Sequence, residues 1–340
     1  MKVLTPRHTA SVLGLLALGV LGSVAVGLAA GPSALSAREL LAVLLAPESQ
    51  GSAADIVLRV RLPRVVLSLL VGASLSVAGV LFQALLRNPL ADPFVLGVSG
   101  GAALGGIAVL SLGSSVGLSH AAVPPAAFAG AVVTILLLRL VSGARGRASA
   151  TSLLLTGVVF NAFASAGIVF LASFAGLTEG AGVFLWLIGS LSNVRADIAG
   201  WVAVFLFAGL ACALPLARSL NLLALGEEPA QQLGVDVVRV QRVLLVAASL
   251  MVGAAVSVAG LVGFVGLIIP HLLRLLIGPD HRLLVPASAL AGAAFLLLCD
   301  TAARTLLGGR ELPVGALTSL AGGPVFLWLL RRHQQRIFAP

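Results

Sequence analysis

Between Ser11 and Leu330 the sequence breaks into ten apolar runs, at 11–30, 63–86, 94–112, 121–140, 152–174, 198–217, 243–261, 263–277, 284–307 and 313–330. A helix needs about 20 apolar residues to cross the hydrocarbon of a bilayer. The eighth run is the short one and contains Pro270. Charged residues make up only 10% of the chain and hydrophobic ones 59%. A water-soluble domain carries about a quarter charged residues, so this chain cannot cover its own surface in water and lipid is its solvent. The wealth of Leu, Val and Ile excludes a disordered chain. The expected fold is all-α and membrane-integral, a single transmembrane domain over 1–340. A further apolar segment at 182–190 is too short to cross and reads as re-entrant or interfacial.

Lys2 and Arg7 precede the first run, and Leu35-Ser36-Ala37 follows it. That pattern also suits a cleaved signal, but a signal's apolar core is shorter, so a retained first helix is expected. With the N-terminus inside, 14 of the 21 basic residues fall on inside segments: Lys2 and Arg7, 87, 139, 145, 147, 218, 239, 242, 274, 282, 331, 332 and 336. This bias predicts cytoplasmic termini and an even number of spans. It also accounts for the net charge of +9 without nucleic acid. Arg38, Arg59, Arg61, Arg64, Arg195, Arg304 and Arg310 remain outside, and the cluster at 59–64 needs its own explanation.

The segment VGASLSVAG at 71–79 matches VGAAVSVAG at 252–260 at seven of nine positions, and Pro89 and Pro270 share the offset of 181. One copy would run inward and the other outward, the pattern of inverted repeats in transporters. The halves would be roughly 1–190 and 191–340.

Catalytic constellations are absent. With one Lys, Lys2, no GxxxxGK[ST] phosphate loop exists, nor any HExxH. The five His residues, 8, 120, 271, 281 and 333, are scattered, and Cys212 and Cys299 lie inside apolar runs, so neither a metal set nor a disulfide framework is indicated. Energy for transport must come from a partner or an ion gradient. The one acidic residue deep in an apolar run, Asp300, has Arg304 one helical turn on. An ion pair there is the expected reading, and a proton relay the rival one. Glu179 and Asp197 sit at predicted outer boundaries.

Several segments stand together in order: RLPR at 61–64, FQALLRNPLADPFVLGVSGGAALG at 82–105, LALGEEPAQQLGV at 223–235, GFVGLIIPHLLRLL at 263–276, DHRLLVP at 280–286, ELPVG at 311–315 and GGPVFLWLL at 322–330. From about Arg61 to Leu330 the chain resembles the iron-chelate and vitamin B12 permeases of ABC importers, the FecCD family. The resemblance implies a ten-helix type II importer permease that pairs with a second, identical or similar copy. It also implies two cytoplasmic ATPase subunits, which hold ATP and magnesium, and an extracytoplasmic binding protein. This chain itself would bind no cofactor or metal and would not be an enzyme.

The resemblance also assigns residues. Glu227, Glu228, Ala230, Leu233 and Gly234 match the segment that couples to the ATPase. Asn88 and Leu90, with Thr151 and Ser152, match the constriction at the cytoplasmic mouth. Arg61, Arg64 and Arg304 match positions that accept carboxylates of the binding protein, where bidentate Arg geometry would suit a rigid partner. Arg59 has no such assignment and is expected to snorkel to headgroups. Thr156, Asn161 and Ser165 give the fifth run a polar content that suits either a pore lining or interhelical hydrogen bonds. The implied function is passage of a bulky metal chelate, ferric siderophore or haem, across a prokaryotic plasma membrane by ATP-driven alternating access. A cobalamin permease is the alternative. A proton-coupled transporter using Asp300 is the rival from another class, and a membrane enzyme or receptor lacks a site in the sequence.

Overall fold

A computed structural model describes residues 5–33, 35–46, 51–113, 117–142, 150–173, 183–184, 186–192, 196–307 and 311–337. Lys2, Arg145, Arg147, Glu179, Arg195 and Arg310 lie outside them. Among the described residues all regular structure is helical: α1 (Pro6–Ala29), α2 (Ala37–Leu45), α3 (Ser52–Leu85), α4 (Val98–Leu112), α5 (Val123–Ser142), α6 (Ala150–Ala172), α7 (Ala196–Ala213), α8 (Ala217–Leu223), α9 (Glu227–Gln232), α10 (Val237–Ala259), α11 (Val265–Ile277), α12 (His281–Thr305) and α13 (Val314–Ile337).

Six of these are long and apolar enough to cross a membrane: α1, α3, α5, α6, α10 and α12. The pair α7 and α8 passes the same test as one span bent by 63°, and α4, α11 and α13 carry shorter apolar stretches. Together they correspond one for one to the ten apolar runs. Their starts follow local chemistry. Thr5 caps α1 by accepting from the His8 N–H, with Pro6 in the first turn. Ser36 and Glu39 form a capping box on α2. Asp236 and Asp280 cap α10 and α12.

Helix α3 is the centre of the bundle. Its apolar window is 83% buried, against 17% for α1 and α6, so it is a core helix whereas those two face lipid or another chain. It packs against α12, α10, α11 and α7, while α4 packs between α5 and α6. Glycines set the closest approaches: a Cβ at Gly79 would be driven into the Gly266 carbonyl, and one at Gly72 into that of Gly292. Small residues let helix backbones meet in lipid, where no hydrophobic force draws them together.

Two ends of the bundle are defined by contacts. At one, Arg87 after α3 meets Glu227 of α9, and Asn221 of α8 meets Asp280. At the other, Arg64 of α3 meets Asp300 of α12 and Glu311. Helix α3 therefore runs from the Asp300 end to the Glu227 end. Helix α10, whose Gln241 also reaches Glu227, runs the opposite way. The two copies of the internal echo are antiparallel helices packed on each other, as an inverted repeat requires.

The eighth apolar run forms the shortest of the three shorter apolar helices. Helix α11 has 13 residues, about 20 Å at 1.5 Å per residue, short of the roughly 30 Å core. It begins beside Leu75 and Gly79, in the last three turns of α3, and ends at the Glu227 end. It is a half-span. The irregular backbone before it is tolerated at this depth because protein surrounds it.

Candidate functional site

Each end of the bundle gathers polar side chains into a separate cluster. At the Asp300 end, Asp300 is wholly buried. It accepts from Arg64 Nε at 3.0 and 3.1 Å, and Arg64 Nη2 lies 3.0 Å from its Oδ1. Arg304 Nε approaches its other oxygen at 3.3 Å, a charge contact without hydrogen-bond alignment. Arg304 Nη2 donates instead to the Gly27 carbonyl of α1 at 2.7 Å. Arg61 donates to the Leu28 and Ala29 carbonyls at 2.7 and 2.8 Å and also to Ser33. It thereby covers the open carbonyls at the C-terminus of α1, which a cation favours.

The three arginines read from the sequence as docking residues are thus buried, at 3% exposure for Arg61, 7% for Arg64 and 4% for Arg304, and all have partners within the chain. They bind α1, α3 and α12 together. One limb of the cluster reaches solvent. Arg64 Nη1 donates to both oxygens of Glu311 at 3.0 Å, and the Glu311 side chain is 42% exposed. The role of Glu311 was not read from the sequence. Its place in ELPVG was the available signal. Arg59 points outward, 81% exposed, and pairs with Asp55.

At the Glu227 end, the chain leaves α3 through a turn in which Arg87 adopts a positive φ of 49°. The Arg87 and Asn88 N–H groups donate back to Ala84 and Gln83 carbonyls. The Asn88 side chain accepts from the Leu90 N–H at 2.9 Å and shapes the turn. Asn88 and Leu90 are both exposed. Pro93–Leu96 forms a 3-10 turn capped by Asp92 and packed on α6 near Gly157. Asn161 donates to the Phe94 carbonyl at 2.8 Å, so this side chain joins two elements rather than standing free in a pore. Thr156 is half-buried and Ser165 exposed. Thr151 and Ser152 open α6 at the same end as Asn88 and Leu90, because α6 runs parallel to α4.

The five residues matched to the coupling segment divide by environment. Ala230 is fully buried and roots α9 in the protein. Glu227 is half-buried and faces inward, to Arg87 and Gln241 at 3.3 and 3.2 Å. Glu228, Leu233 and Gly234 are exposed, Leu233 at 60%. Beneath them Gln83 donates to the Gly266 and Leu267 carbonyls and accepts from Arg274 at 2.9 Å, which ties the end of α3 to α11.

Asn221 donates to Asp280 at 2.8 Å, and the Asp280 carboxylate also holds Arg282. The Arg282 hydrogen bonds, with help from Asn221, lower the Asp280 carboxyl to about 2. A carboxyl depressed by folding stabilises above its unfolded value near 4, and that stabilisation is lost as pH falls toward 2. The thermal-stability gap between wild type and Asp280→Asn in detergent should be constant above about pH 5, narrow below about pH 4, and close only at about pH 2 and below.

The sequence profile of the FecCD transport family matches residues 16–332. The cobalamin import system permease protein BtuC of Halobacterium salinarum is 45% identical over 277 residues, 82% of this chain and 73% of that protein. The hemin transport system permease protein HmuU of Yersinia pestis is 43% identical, covering 82% of this chain and 84% of its own. A solved structure assigned to the metal-chelate type of ABC transporter, in an inward-facing conformation, superposes with a TM-score of 0.82 at 30% identity, covering 95% of this chain and 99% of its own. The chain therefore shares its fold with a metal-chelate type ABC transporter and its sequence with permease proteins of cobalamin and hemin transport systems. The chain belongs to the FecCD transport family and is a permease subunit of an ABC importer.

Proposed function

We propose that this permease translocates a bulky metal chelate, of the class that includes ferric siderophores, haem and cobalamin, at the interface between two copies of itself. The hemin and cobalamin permeases among its relatives support that class. The proposed location is a prokaryotic plasma membrane with the Glu227 end and both termini in the cytoplasm. Two ATPase subunits dock at that end and a binding protein at the Asp300 end. ATP binding moves α9, and the constriction of Asn88, Leu90, Thr151 and Ser152 changes state.

The observation that carries this reading is α9. It is a polar helix anchored by buried Ala230, and it turns Glu228, Leu233 and Gly234 outward. An exposed Leu beside charged groups suits a partner's groove. Glu228→Ala with Leu233→Asp should weaken association with the co-expressed ATPase by about 2 kcal/mol, roughly 30-fold, as at an interface hot spot. Co-purification measures this. Undiminished association of the double variant would refute α9 as the docking element.

At the Asp300 end, a carboxylate of the binding protein would meet Arg64 in place of Glu311, with Arg61 and Arg304 holding the surface from beneath. The bared flanks of α6, including Leu155, Val159 and Phe163 at 63 to 65% exposure, suit lipid and the second copy. Against the proton-coupled alternative, Asp300 is fully buried with Arg64 hydrogen-bonded to it and Arg304 beside it, an ion-paired carboxylate that ties two helices together.

A further inference from the structure

The ion pair between Arg87 and Glu227 joins the two segments that the importer reading keeps apart, the constriction and the ATPase-facing helix. We infer that Arg87 is a transmission residue: through Glu227 it carries the displacement of α9 to the Asn88–Leu90 turn. This inference rests on the importer reading and adds a residue to it.

Three observations carry it. First, Glu227 turns away from the exposed face of α9. Its Oε1 accepts from Arg87 Nη2 at 3.3 Å and from Gln241 of α10 at 3.2 Å. It is therefore placed to pass on a movement rather than to receive the partner. Second, α9 is a six-residue helix between Gly226 at φ 121° and Gly234 at φ 85°. Such conformations favour glycine, and two of them flanking a short helix let it shift as a unit about its buried Ala230. Third, Arg87 is directly joined to the constriction. Its N–H and that of Asn88 close the last turn of α3, its backbone sits at φ 49°, and the next side chain holds the Leu90 N–H.

The ion pair is partly exposed, 43% at Arg87 and 32% at Glu227, and so adds little to stability. That suits a contact made and broken in each cycle. Energetic coupling between sites needs a bistable contact more than a strong one.

The test uses the permease purified with its co-expressed ATPase subunits in lipid, with Cys212→Ser, Cys299→Ser and Leu90→Cys. The reaction of that single thiol with a maleimide is timed with and without ATP plus vanadate. In this parent, nucleotide should change the rate by about fivefold or more, the lower range of allosteric coupling. Arg87→Glu should leave the ATPase subunits bound and hydrolysing ATP but reduce the nucleotide effect to less than about twofold. Adding Glu227→Arg should restore it. Arg87→Gln, which removes the charge without reversing it, is read the same way and covers a failure of the reversal to insert. An Arg87→Glu or Arg87→Gln protein that responds like the parent would overturn the inference, as would a reversed pair as unresponsive as the single variant. Absence of a nucleotide effect in the parent would instead overturn the placement of the constriction at Leu90, before any change at Arg87 is made.

Discussion

Asp300→Ala should reduce the folded, detergent-extractable protein to a small fraction of the wild-type yield. The substitution takes a carboxylate from between Arg64 and Arg304, both at most 7% exposed. Two guanidinium groups would then share a buried site with Glu311 at its solvent edge as the one remaining anion, and with the neutral Gly27 carbonyl and Thr301 hydroxyl as the other partners. Removing one member of a buried ion pair costs about 3–5 kcal/mol, comparable to a large share of a domain's net stability. Asp300→Asn keeps the shape and one acceptor and should be milder, yet still lower the unfolding temperature. Size-exclusion profiles after heating would measure both. The outcome also separates the two classes of transporter. A proton relay would give an Asp300→Asn protein that folds normally and does not transport. A structural centre gives one that is unstable, with transport in proportion to the folded amount.

Gly79→Val should be of similar severity for a different reason. Any Cβ at Gly79 points into the carbonyl of Gly266, with the Gly266 Cα and carbonyl carbon behind it. The obstacle is backbone, so no rotamer change relieves it, and α3 and α11 must separate. Overpacking costs about 1–3 kcal/mol and more where backbone must move. Here the displaced element is the start of a half-span whose other end holds Arg274 against Gln83, so assembly with the ATPase should suffer as well as stability. Gly14→Ala is the matched control: nothing lies within 4 Å of its Cβ, and the change should be neutral to slightly stabilising because alanine favours helix. Equal stability of Gly79→Val and Gly14→Ala in a thermal-shift comparison would show that the two helices do not meet where the structure places them.

The ten apolar elements were legible in the sequence because hydrocarbon imposes a length and a composition on any helix that crosses it. So was the break after α3, where Pro89 and Pro93 hold the residues before them out of helix. The antiparallel repeat was legible because its copies share seven of nine residues. What those copies do was not. Gly79 and Gly260 occupy the same place in the two copies, yet Gly79 lies inside α3 while Gly260 ends α10 at φ 67°. The residues before each glycine match at six of eight positions, whereas those after it differ, Val-Leu-Phe-Gln against Leu-Val-Gly-Phe. Contacts from around Gly189 meet only the second copy: Ser190 donates to the Ala259 carbonyl, and the Trp186 carbonyl closes on Gly260.

The arginines show the same division. Residue types and order pointed to Arg61, Arg64 and Arg304 as a group at one end of the bundle. Whether each faces a partner or the protein depends on groups far away along the chain, Asp300 at 236 residues from Arg64 and Gly27 at 277 from Arg304. Likewise, nothing in GEEPAQQLGV distinguishes Glu227 from Glu228. One faces Arg87, 140 residues away, and the other faces solvent. The sequence by itself determined the solvent, the family and the placement of the spans, because those depend on composition and short-range order. The tertiary structure decided which glycine bends, which helix stops halfway and which charges turn inward. Those outcomes depend on backbone and charged groups that only folding brings within a few ångströms.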